Sequence, residues 1–455
     1  MPRHSFLQPA LTWTIAALCA CVIMAESLVM SGSFRVFAIR GGIGAFSALP
    51  QDEHAHTNIL LLGVGDPEHS ASYLTDAMMI ASIDPRTESV VLISLPRDLT
   101  VIDAKGYSQG RINTLFAMAK MSLHAKPTDT GAVLTAMRAV AKDIGTRTGI
   151  SIQGTLKMDF TGFERVIDSV GGVDIDVPEA ITDYSFPLKE GVVGLLEIKK
   201  GPQHMNGQDA LRFARSRHST SDFDRASRQQ LILTALENKV KHQNLFADIG
   251  MIRSLQHSLK DHVVSTLSQT ELFAVGGVLT GVRPQDIIRM SLNETVGGDG
   301  YDSAAGGFVT PAPKEIAGSA ALILPVSLTG RPGDWGQIQA VTAMLTRNRE
   351  IYLDAPKVSV ASSGASETQV HRLRNELIRY GFTVTDASAI HEIPVAAGSK
   401  IVTGKDATQA TPAYLSRLLR LPLERETGAN PAESEVRIIL GKDYRFTPFE
   451  VLLPE

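Results

Sequence analysis

The sequence predicts an α/β protein with an N-terminal membrane helix and a second, smaller α/β unit at its C-terminal end. Short apolar runs typical of buried strands alternate with helical patterns along the chain. A 20-residue apolar stretch lies near the N-terminus, and a compact strand–helix pattern follows Pro356. With 455 residues, of which 44% are hydrophobic and 20% charged, the chain supports a packed core.

The apolar stretch Leu11–Met30 predicts a membrane helix, because twenty helical residues span about 30 Å, the thickness of the hydrocarbon core. We expect residues 1–32 to form a cytoplasmic tip and a single transmembrane anchor in the cell membrane. Residues 33–57 are then a linker, and the body is extracytoplasmic. The alternative is a signal peptide that is cleaved near Ala25.

Charge and cysteine content argue against several classes of protein. The formal net charge is −4, from 44 basic and 48 acidic residues, which disfavours nucleic-acid binding through bulk charge. Both cysteines, Cys19 and Cys21, lie in the apolar N-terminal stretch. The body therefore has no disulfide framework, no cysteine-based zinc site and no cysteine nucleophile.

The body begins with three apolar runs that fit buried strands, Asn58–Val64, Ala77–Ile83 and Ser89–Leu95. A turn sequence containing Pro85 separates the last two, so we expect them to pair as a hairpin. Further patterns predict helices at 131–145, 162–170, 209–214 and 226–241, and strands at 155–160 and 173–177.

The C-terminal part alternates strand and helix patterns. They lie at 358–361, 367–380, 382–384, 412–421 and 436–441. This order predicts a small α/β unit of roughly 100 residues.

The segment from Met205 to Gln229 contains five arginines and three aspartates. In an extended segment Arg215 and Arg217 point to the same side, and Arg225 and Gln229 share a face of the following helix. Guanidinium groups bind phosphate oxygens bidentately. From these residues alone, a phosphate-binding cluster and a solvated salt-bridge network fit equally well.

Two smaller clusters lie at strand ends. Arg97 and Asp98 follow the third apolar run, where the alternative to a site is a surface ion pair. Asp66 and Asp76 lie ten residues apart, each near a strand end, and two carboxylates suit a Mg²⁺ ion that bridges phosphate oxygens. For these aspartates the alternative is turn chemistry.

Taken together, these stretches resemble the LytR-CpsA-Psr family of bacterial cell-wall glycopolymer ligases. The matching segments appear in the family's order over about 58–240, with a looser tail to about 350. They are NILLLGVG, LTDAMMIASIDP, VVLISLPRDLTV, GRINTLFAMA, MDFTGFERVIDSVGGVDIDVP and GPQHMNGQDALRFARSRHSTSDFDRASRQQ. Residues 357–442 resemble the C-terminal domain that often follows in this family.

The resemblance implies a mixed central sheet flanked by helices, with an apolar cavity for a polyprenyl chain. It places a catalytic domain at 58–350 and a LytR-type domain at 357–455. The implied activity moves a glycopolymer from a polyprenyl pyrophosphate carrier onto a peptidoglycan hydroxyl outside the cytoplasmic membrane. Magnesium assists, and no nucleic acid takes part.

The resemblance also assigns roles by motif. Catalytic roles fall to Arg97, Asp98, Arg215 and Arg217, and pyrophosphate binding to Arg111, Arg225, Arg228 and Gln229. It assigns Asp76 and Asp66 as metal ligands and gives supporting roles to Asp222 and Asn113. Asp98 is also one candidate for the general base. Two positions depart from the family pattern: Gly65 replaces a common aspartate, so that Asp66 lies one residue later, and Leu74 replaces a common arginine.

Three other functions stay open. The same arginine cluster would serve a pyrophosphatase that uses water as the acceptor. A non-catalytic envelope protein that binds lipid or cell wall is a second alternative. A transcriptional regulator is the third, and the predicted anchor and the lack of a helix-turn-helix pattern before it argue against that role.

Overall fold

The structure is a computed structural model. It describes residues 49–66, 73–102, 108–126, 129–189, 192–216, 258–279, 281–292, 307–317, 322–326, 333–354, 357–385, 398–404, 410–425 and 435–453, and single residues at 228, 231, 232, 235, 236, 239 and 331. The predicted membrane helix Leu11–Met30 lies outside these residues. No helix within them has both the length and the hydropathy needed to cross a bilayer.

The strands are β1 Thr57–Val64, β2 Thr75–Asp84, β3 Ser89–Leu95, β4 Thr100–Ile102, β5 Ser108–Arg111, β6 Gly154–Met158, β7 Val173–Val177, β8 Ile181–Lys189, β9 Val192–Ile198, β10 Gly201–Met205, β11 Val263–Ser265, β12 Ile287–Ser291, β13 Val309–Pro311, β14 Ile323–Pro325, β15 Lys357–Ser362, β16 Thr383–Thr385, β17 Lys400–Thr403, β18 Leu423–Arg425 and β19 Glu435–Leu440.

The helices are α1 Leu115–Ser122, α2 Thr130–Thr148, α3 Phe160–Ser169, α4 Gly207–Arg215, α5 Gln269–Leu279, α6 Lys314–Ala317, α7 Gly336–Arg347, α8 Glu350–Leu353, α9 Glu367–Arg379, α10 Ala410–Leu419 and α11 Phe449–Leu452. Short 3₁₀ turns lie at Ile112–Thr114 and Pro284–Asp286.

The chain forms two compact units. Of the described residues, the first comprises those from Leu49 to Asp98 together with those within 110–146 and 150–291, and the second comprises those within 99–109, 147–149 and from Leu292 to Leu453. The sequence-based domain boundary near residue 350 stays a prediction. The described end of the predicted linker is folded, because Leu49 is buried in the core of the first unit.

The first unit is built on a six-stranded sheet with the order β11-β6-β1-β2-β3-β12. Strands β1, β2 and β3 are antiparallel neighbours, whereas β6 runs parallel to β1 and β12 runs parallel to β3. The predicted β2–β3 hairpin and the mixed sheet are therefore confirmed.

Both faces of this sheet are buried. On one face, Ile59 and Leu61 belong to a core cluster that also contains Phe163 of α3. On the other face, Leu60 and Ile80 are fully buried. Burial on both faces explains why these strands are continuous apolar runs in the sequence.

The predicted helix at 226–241 is described at only six residues, all helical. Ile232 and Leu236 are buried in the core cluster, as its apolar spacing predicts. The segment between Pro178 and Met205 had no predicted elements, and it contains the antiparallel pair β8–β9 and the strand β10, which pairs with β7.

The second unit contains a five-stranded mixed sheet with the order β16-β15-β19-β17-β18. Leu373 and Leu377 of α9 and Leu415 of α10 are buried. The predicted order of strands and helices after Pro356 is confirmed, and β17 and β18 are strands that the sequence did not predict.

Candidate functional site

Three of the predicted site residues, Asp66, Asp76 and Arg97, lie at one edge of the six-stranded sheet, where strands end or begin. Because β1 and β6 are parallel and β2 is antiparallel to both β1 and β3, the ends of β1, β3 and β6 and the start of β2 lie at the same edge. Asp66 lies two residues beyond β1, Asp76 is the second residue of β2, and Arg97 lies two residues beyond β3. Strands are about 4.8 Å apart, so the edge from β6 to β3 spans about 14 Å.

Four charged side chains at this edge, those of Asp76, Arg97, Asp98 and Arg111, form a continuous line of ion pairs. Arg97 Nη1 lies 3.4 Å from Asp76 Oδ1, and Arg97 Nε lies 3.3 Å from Asp98 Oδ2. The other oxygen of Asp98 lies 3.0 Å from Nε of Arg111. Asp98 therefore holds two guanidinium groups side by side at a partly exposed position, one from the end of β3 and one from the end of β5.

Asn113 ties this line of ion pairs to the strands. Its backbone N–H donates to the carbonyl of Arg97 at 3.3 Å, and its own carbonyl accepts from the hydroxyl of Thr75 at 3.1 Å. Its side-chain Nδ2 donates to Asp76 Oδ1 at 3.4 Å. Asn113 is buried, and within the described part of the chain its Oδ1 has no hydrogen-bond partner.

Arg215 lies at a second point, at the C-terminal end of α4. Its guanidinium carbon is 4.5 Å from the centroid of the Phe160 ring and 5.8 Å from that of Phe186. Phe160 is the first residue of α3 and lies two residues beyond the end of β6. Two aromatic rings thus hold a cation near the same sheet edge through cation–π attraction.

Asp66 lies at the beginning of α3. Its Oδ1 accepts a hydrogen bond from the backbone N–H of Thr161 at 2.9 Å, while Asp159, the N-cap of α3, accepts from Gly162 at 2.8 Å. Two carboxylates therefore satisfy donors at the N-terminus of this helix. One oxygen of Asp66 serves this structural bond, and its role as a metal ligand stays a prediction.

Arg228 is buried, and its Nη2 donates to the carbonyl oxygen of Ser216, the C-cap of α4. A cationic side chain at the C-terminal end of a helix stabilises the last carbonyls. This bond gives Arg228 a structural role that the sequence did not predict, whereas pyrophosphate binding by Arg228 stays a prediction.

Four of the predicted site residues lie outside the described residues. They are Arg217, Asp222, Arg225 and Gln229. The structure thus brings Arg97, Asp98, Arg111, Asn113 and Asp76 together and places Asp66 and Arg215 at α3. The predicted meeting of the guanidinium groups of Arg215 and Arg217 stays a prediction.

Three titratable side chains near this edge, those of Asp159, Lys157 and His262, were not predicted from the sequence as site residues. Asp159 is buried, which raises its pKa, although the Gly162 N–H and the side chain of His262, 3.0 Å away, lower it. Burial also lowers the pKa of Lys157 on β6, an effect that Asp159 partly opposes. The N-cap pattern was a usable signal for Asp159, but His262 is 103 residues away and gives no local signal.

The oxygen donors at this edge suit a Mg²⁺ ion, which keeps part of its water shell, better than a metal ion that takes all its ligands from the protein. The described residues contain no group of three or more His, Cys, Asp or Glu residues that could hold a metal. Asp76 offers a carboxylate whose side chain is 47% exposed, and Nδ2 of Asn113 donates to one of its oxygens. Mg²⁺ is commonly held by one or two carboxylates and completes its shell with water and substrate phosphates.

Comparison with known proteins identifies the family. The family model of the LytR-CpsA-Psr proteins matches residues 42–310, more than half of the chain. The chain belongs to the LytR-CpsA-Psr family. A second family model, for the LytR cell envelope-related transcriptional attenuator, matches residues 355–444.

Two curated relatives of this LytR-CpsA-Psr protein are polyisoprenyl-teichoic acid–peptidoglycan teichoic acid transferases. TagV of Bacillus subtilis (strain 168) is 28% identical over 240 residues, which are 52% of this chain and 56% of TagV. TagU of Bacillus cereus (strain ATCC 14579) is 25% identical over 252 residues, which are 55% of this chain and 71% of TagU. The match thus spans little more than half the length of TagV.

A solved structure of a LytR-CpsA-Psr protein is also similar. The crystal structure of B. subtilis TagV matches with a TM-score of 0.45 and 22% sequence identity, over 64% of this chain and 97% of that chain.

Proposed function

We propose that this protein transfers a glycopolymer from a polyprenyl pyrophosphate carrier onto a hydroxyl group of peptidoglycan. The observation that supports this proposal is the line of ion pairs in which Asp98 holds Arg97 and Arg111 side by side. Such a pair of guanidinium groups suits the clustered negative charge of a diphosphate. The activity of TagV and TagU, as transferases in the same family, points the same way.

The reaction is a phosphoryl transfer. The oxygen of the acceptor hydroxyl forms a bond to the phosphorus that carries the glycopolymer, and the bond from that phosphorus to the bridging oxygen breaks. Polyprenyl phosphate leaves with the electron pair, the hydroxyl proton passes to a base, and a phosphodiester remains. Positioning and charge neutralisation are the main demands of such a transfer.

In this proposal the arginines of the sheet edge bind the non-bridging oxygens. Arg97 and Arg111 are partly exposed, so phosphate oxygens compete with Asp98 for their N–H groups. Arg215 contributes a third guanidinium, held by Phe160. Because both oxygens of Asp98 face guanidinium groups, Asp98 orients these cations rather than accepting the hydroxyl proton.

Mg²⁺, when bound, neutralises charge on the pyrophosphate oxygens. Asp76 is the residue that would hold it, with Asn113 beside it and Asp66 as the second carboxylate that the family motif assigns. Asn113 keeps Asp76 in place through its Nδ2, and the Thr75 hydroxyl in turn holds the Asn113 carbonyl. The proposed setting is the outer face of the cell membrane, with the chain anchored by its N-terminal segment.

The test is product analysis with the full chain in lipid vesicles. The substrates are a polyprenyl pyrophosphate-linked glycopolymer, labelled in the polymer, and purified peptidoglycan. We expect label to move into peptidoglycan while polyprenyl phosphate appears in equal amount. Arg97→Ala removes this transfer, and the control Arg138→Ala, at an exposed position on α2, does not.

Two other results would replace the proposal. Release of the polymer phosphate into water at the same rate with and without peptidoglycan identifies a pyrophosphatase. Binding of the carrier with no turnover under any condition identifies a non-catalytic envelope protein.

A further inference from the structure

The β8–β9 hairpin exposes four apolar side chains. Tyr184, Val192, Val193 and Leu195 have exposed fractions of 76%, 52%, 65% and 51%. Among the described residues ten large hydrophobic side chains are exposed, and four of them lie on this one hairpin. Exposed apolar side chains that cluster in this way mark an interaction surface.

The rest of the hairpin is anchored in the first unit. Ile181 and Phe186 of β8 and Leu196 of β9 are buried, and Ile181 belongs to the core cluster. The two strands form a separate two-stranded sheet. A hairpin with one packed face is expected to present polar residues on the other face, and this one exposes Val193 and Leu195 as well as Glu197.

The distribution along the hairpin favours a lipid surface as the partner. Val192 and Val193 begin β9, where Val192 pairs with Lys189 and Val193 pairs with Pro187. Lys199 and Lys200, both exposed, lie beyond the opposite end of β9. Lysines thus lie at both ends of β9, and apolar side chains flanked by lysines suit a bilayer surface, where lysines attract anionic head groups and apolar side chains contact the acyl chains.

The hairpin also adjoins the candidate site. Phe186 of β8 lies against the guanidinium of Arg215, 5.8 Å from ring centroid to Cζ. The carrier in the proposed function is a membrane lipid whose pyrophosphate must reach these arginines. An element that enters the bilayer beside Arg215 brings the site to the level of the head groups.

We propose that the β8–β9 hairpin inserts into the membrane surface through Tyr184, Val192, Val193 and Leu195, and so positions the site over its lipid-linked substrate. The second part of this inference rests on the proposed function. Insertion itself does not, and the first experiment below measures insertion alone.

The experiment places a fluorescent label on the hairpin of the full chain. In a background of Cys19→Ala and Cys21→Ala, which removes both native cysteines, Val193→Cys is labelled with the polarity-sensitive dye NBD. The labelled chain is reconstituted into vesicles of phosphatidylethanolamine and phosphatidylglycerol. We expect blue-shifted emission and quenching by lipids that carry a nitroxide on the acyl chain.

Two matched positions serve as controls. Glu197→Cys lies on the same strand but away from its start, so its quenching should be weaker. Lys142→Cys, exposed on α2, should not be quenched. If Val193→Cys is quenched no more than Lys142→Cys, insertion is disproved. A blue shift without quenching by these lipids also overturns the proposal, because it identifies a protein contact such as a second copy of this chain.

A second experiment tests the consequence for activity. Val193→Asp should lower transfer from a long-chain carrier embedded in vesicles about tenfold, because a carboxylate at this position opposes insertion. Transfer from a short-chain, water-soluble carrier should be unchanged, which also shows that the variant folds. Equal loss with both carriers contradicts the positioning role. If the parent protein uses neither carrier the proposed function fails, and the quenching result still decides insertion.

Discussion

The guanidinium of Arg215 lies over the ring of Phe160, with 4.5 Å between Cζ and the ring centroid. Arg215 is the last residue of α4 and Phe160 is the first residue of α3. The contact therefore fixes a cation from one helix over the start of another, at the edge of the sheet where Asp66 also lies.

The Phe160 ring should contribute to transfer through Arg215. Phe160→Leu keeps an apolar side chain but removes the aromatic face, and a cation–π contact of about 1 kcal/mol corresponds to a rate effect of about fivefold. We expect kcat/KM to fall by about this factor, while Arg215→Ala lowers it about 100-fold or more. Both are measured by transfer of labelled polymer. Unchanged activity in Arg215→Ala would remove this arginine from the proposed site.

Close packing of α4 on α3 should make Gly207 irreplaceable. A Cβ at Gly207 would lie 2.2 Å from the carbonyl oxygen of Glu164, which is backbone and cannot rotate away. We expect Gly207→Ala to lower the midpoint of thermal unfolding and to reduce transfer, because α4 and Arg215 are displaced. The control is Gly277→Ala on α5, where a Cβ meets nothing within 4 Å, and which should stabilise the helix by about 0.5–1 kcal/mol.

Replacing Asp98 should separate an orienting role from a general-base role. Asp98→Asn keeps the shape of the side chain but weakens both contacts to Arg97 and Arg111. We expect kcat/KM to fall about tenfold, with the acidic limb of its pH profile at the same position as in the parent protein. Disappearance of that limb in Asp98→Asn would instead identify Asp98 as the base.

The magnesium requirement should depend on Asp76 more than on Asp66. Asp76→Asn removes the exposed carboxylate at the sheet edge, so we expect the Mg²⁺ concentration for half-maximal transfer to rise at least about tenfold. Asp66→Asn keeps an oxygen that can accept from Thr161, so its shift should be smaller and its thermal stability close to that of the parent. Magnesium titration of transfer measures both, and an equal response in the two variants would contradict this ranking.

Lys157 should lower the stability of the fold at neutral pH. Burial lowers its pKa below the ordinary value of 10.5, while Asp159 raises it and Lys120 lowers it further. A lysine whose folded-state pKa is depressed destabilises the fold while it is charged, and this destabilisation disappears as the pH rises through the folded pKa toward 10.5. Lys157→Met should therefore raise the free energy of unfolding at pH 7.

The pH dependence provides the internal control for Lys157. The gain in Lys157→Met, measured by denaturant unfolding, should shrink as the pH approaches 10.5. A gain that is constant from pH 7 to pH 10 would show that packing of the methionine, and not the lost charge, is responsible.

Local patterns in the sequence determined most of the strands and helices. The apolar run Ser89–Leu95 is a strand with the predicted bounds, and β2 and β3 pair through the predicted turn. The prediction worked here because burial on both faces selects continuous apolar runs, and turn residues mark their ends. The β8–β9 hairpin was not predicted, since Tyr184, Val192, Val193 and Leu195 face solvent and break the expected alternation.

The sequence by itself determined the family, through its motifs, and the residue types of the site. Only the tertiary structure decided which of them meet: Asp98 lies between Arg97 and Arg111, whereas Arg228 bonds to Ser216 and one oxygen of Asp66 bonds to Thr161. The physical reason is that the direction and register of neighbouring strands bring distant segments to one sheet edge, and residues such as Asp159 and His262 acquire their environment only there.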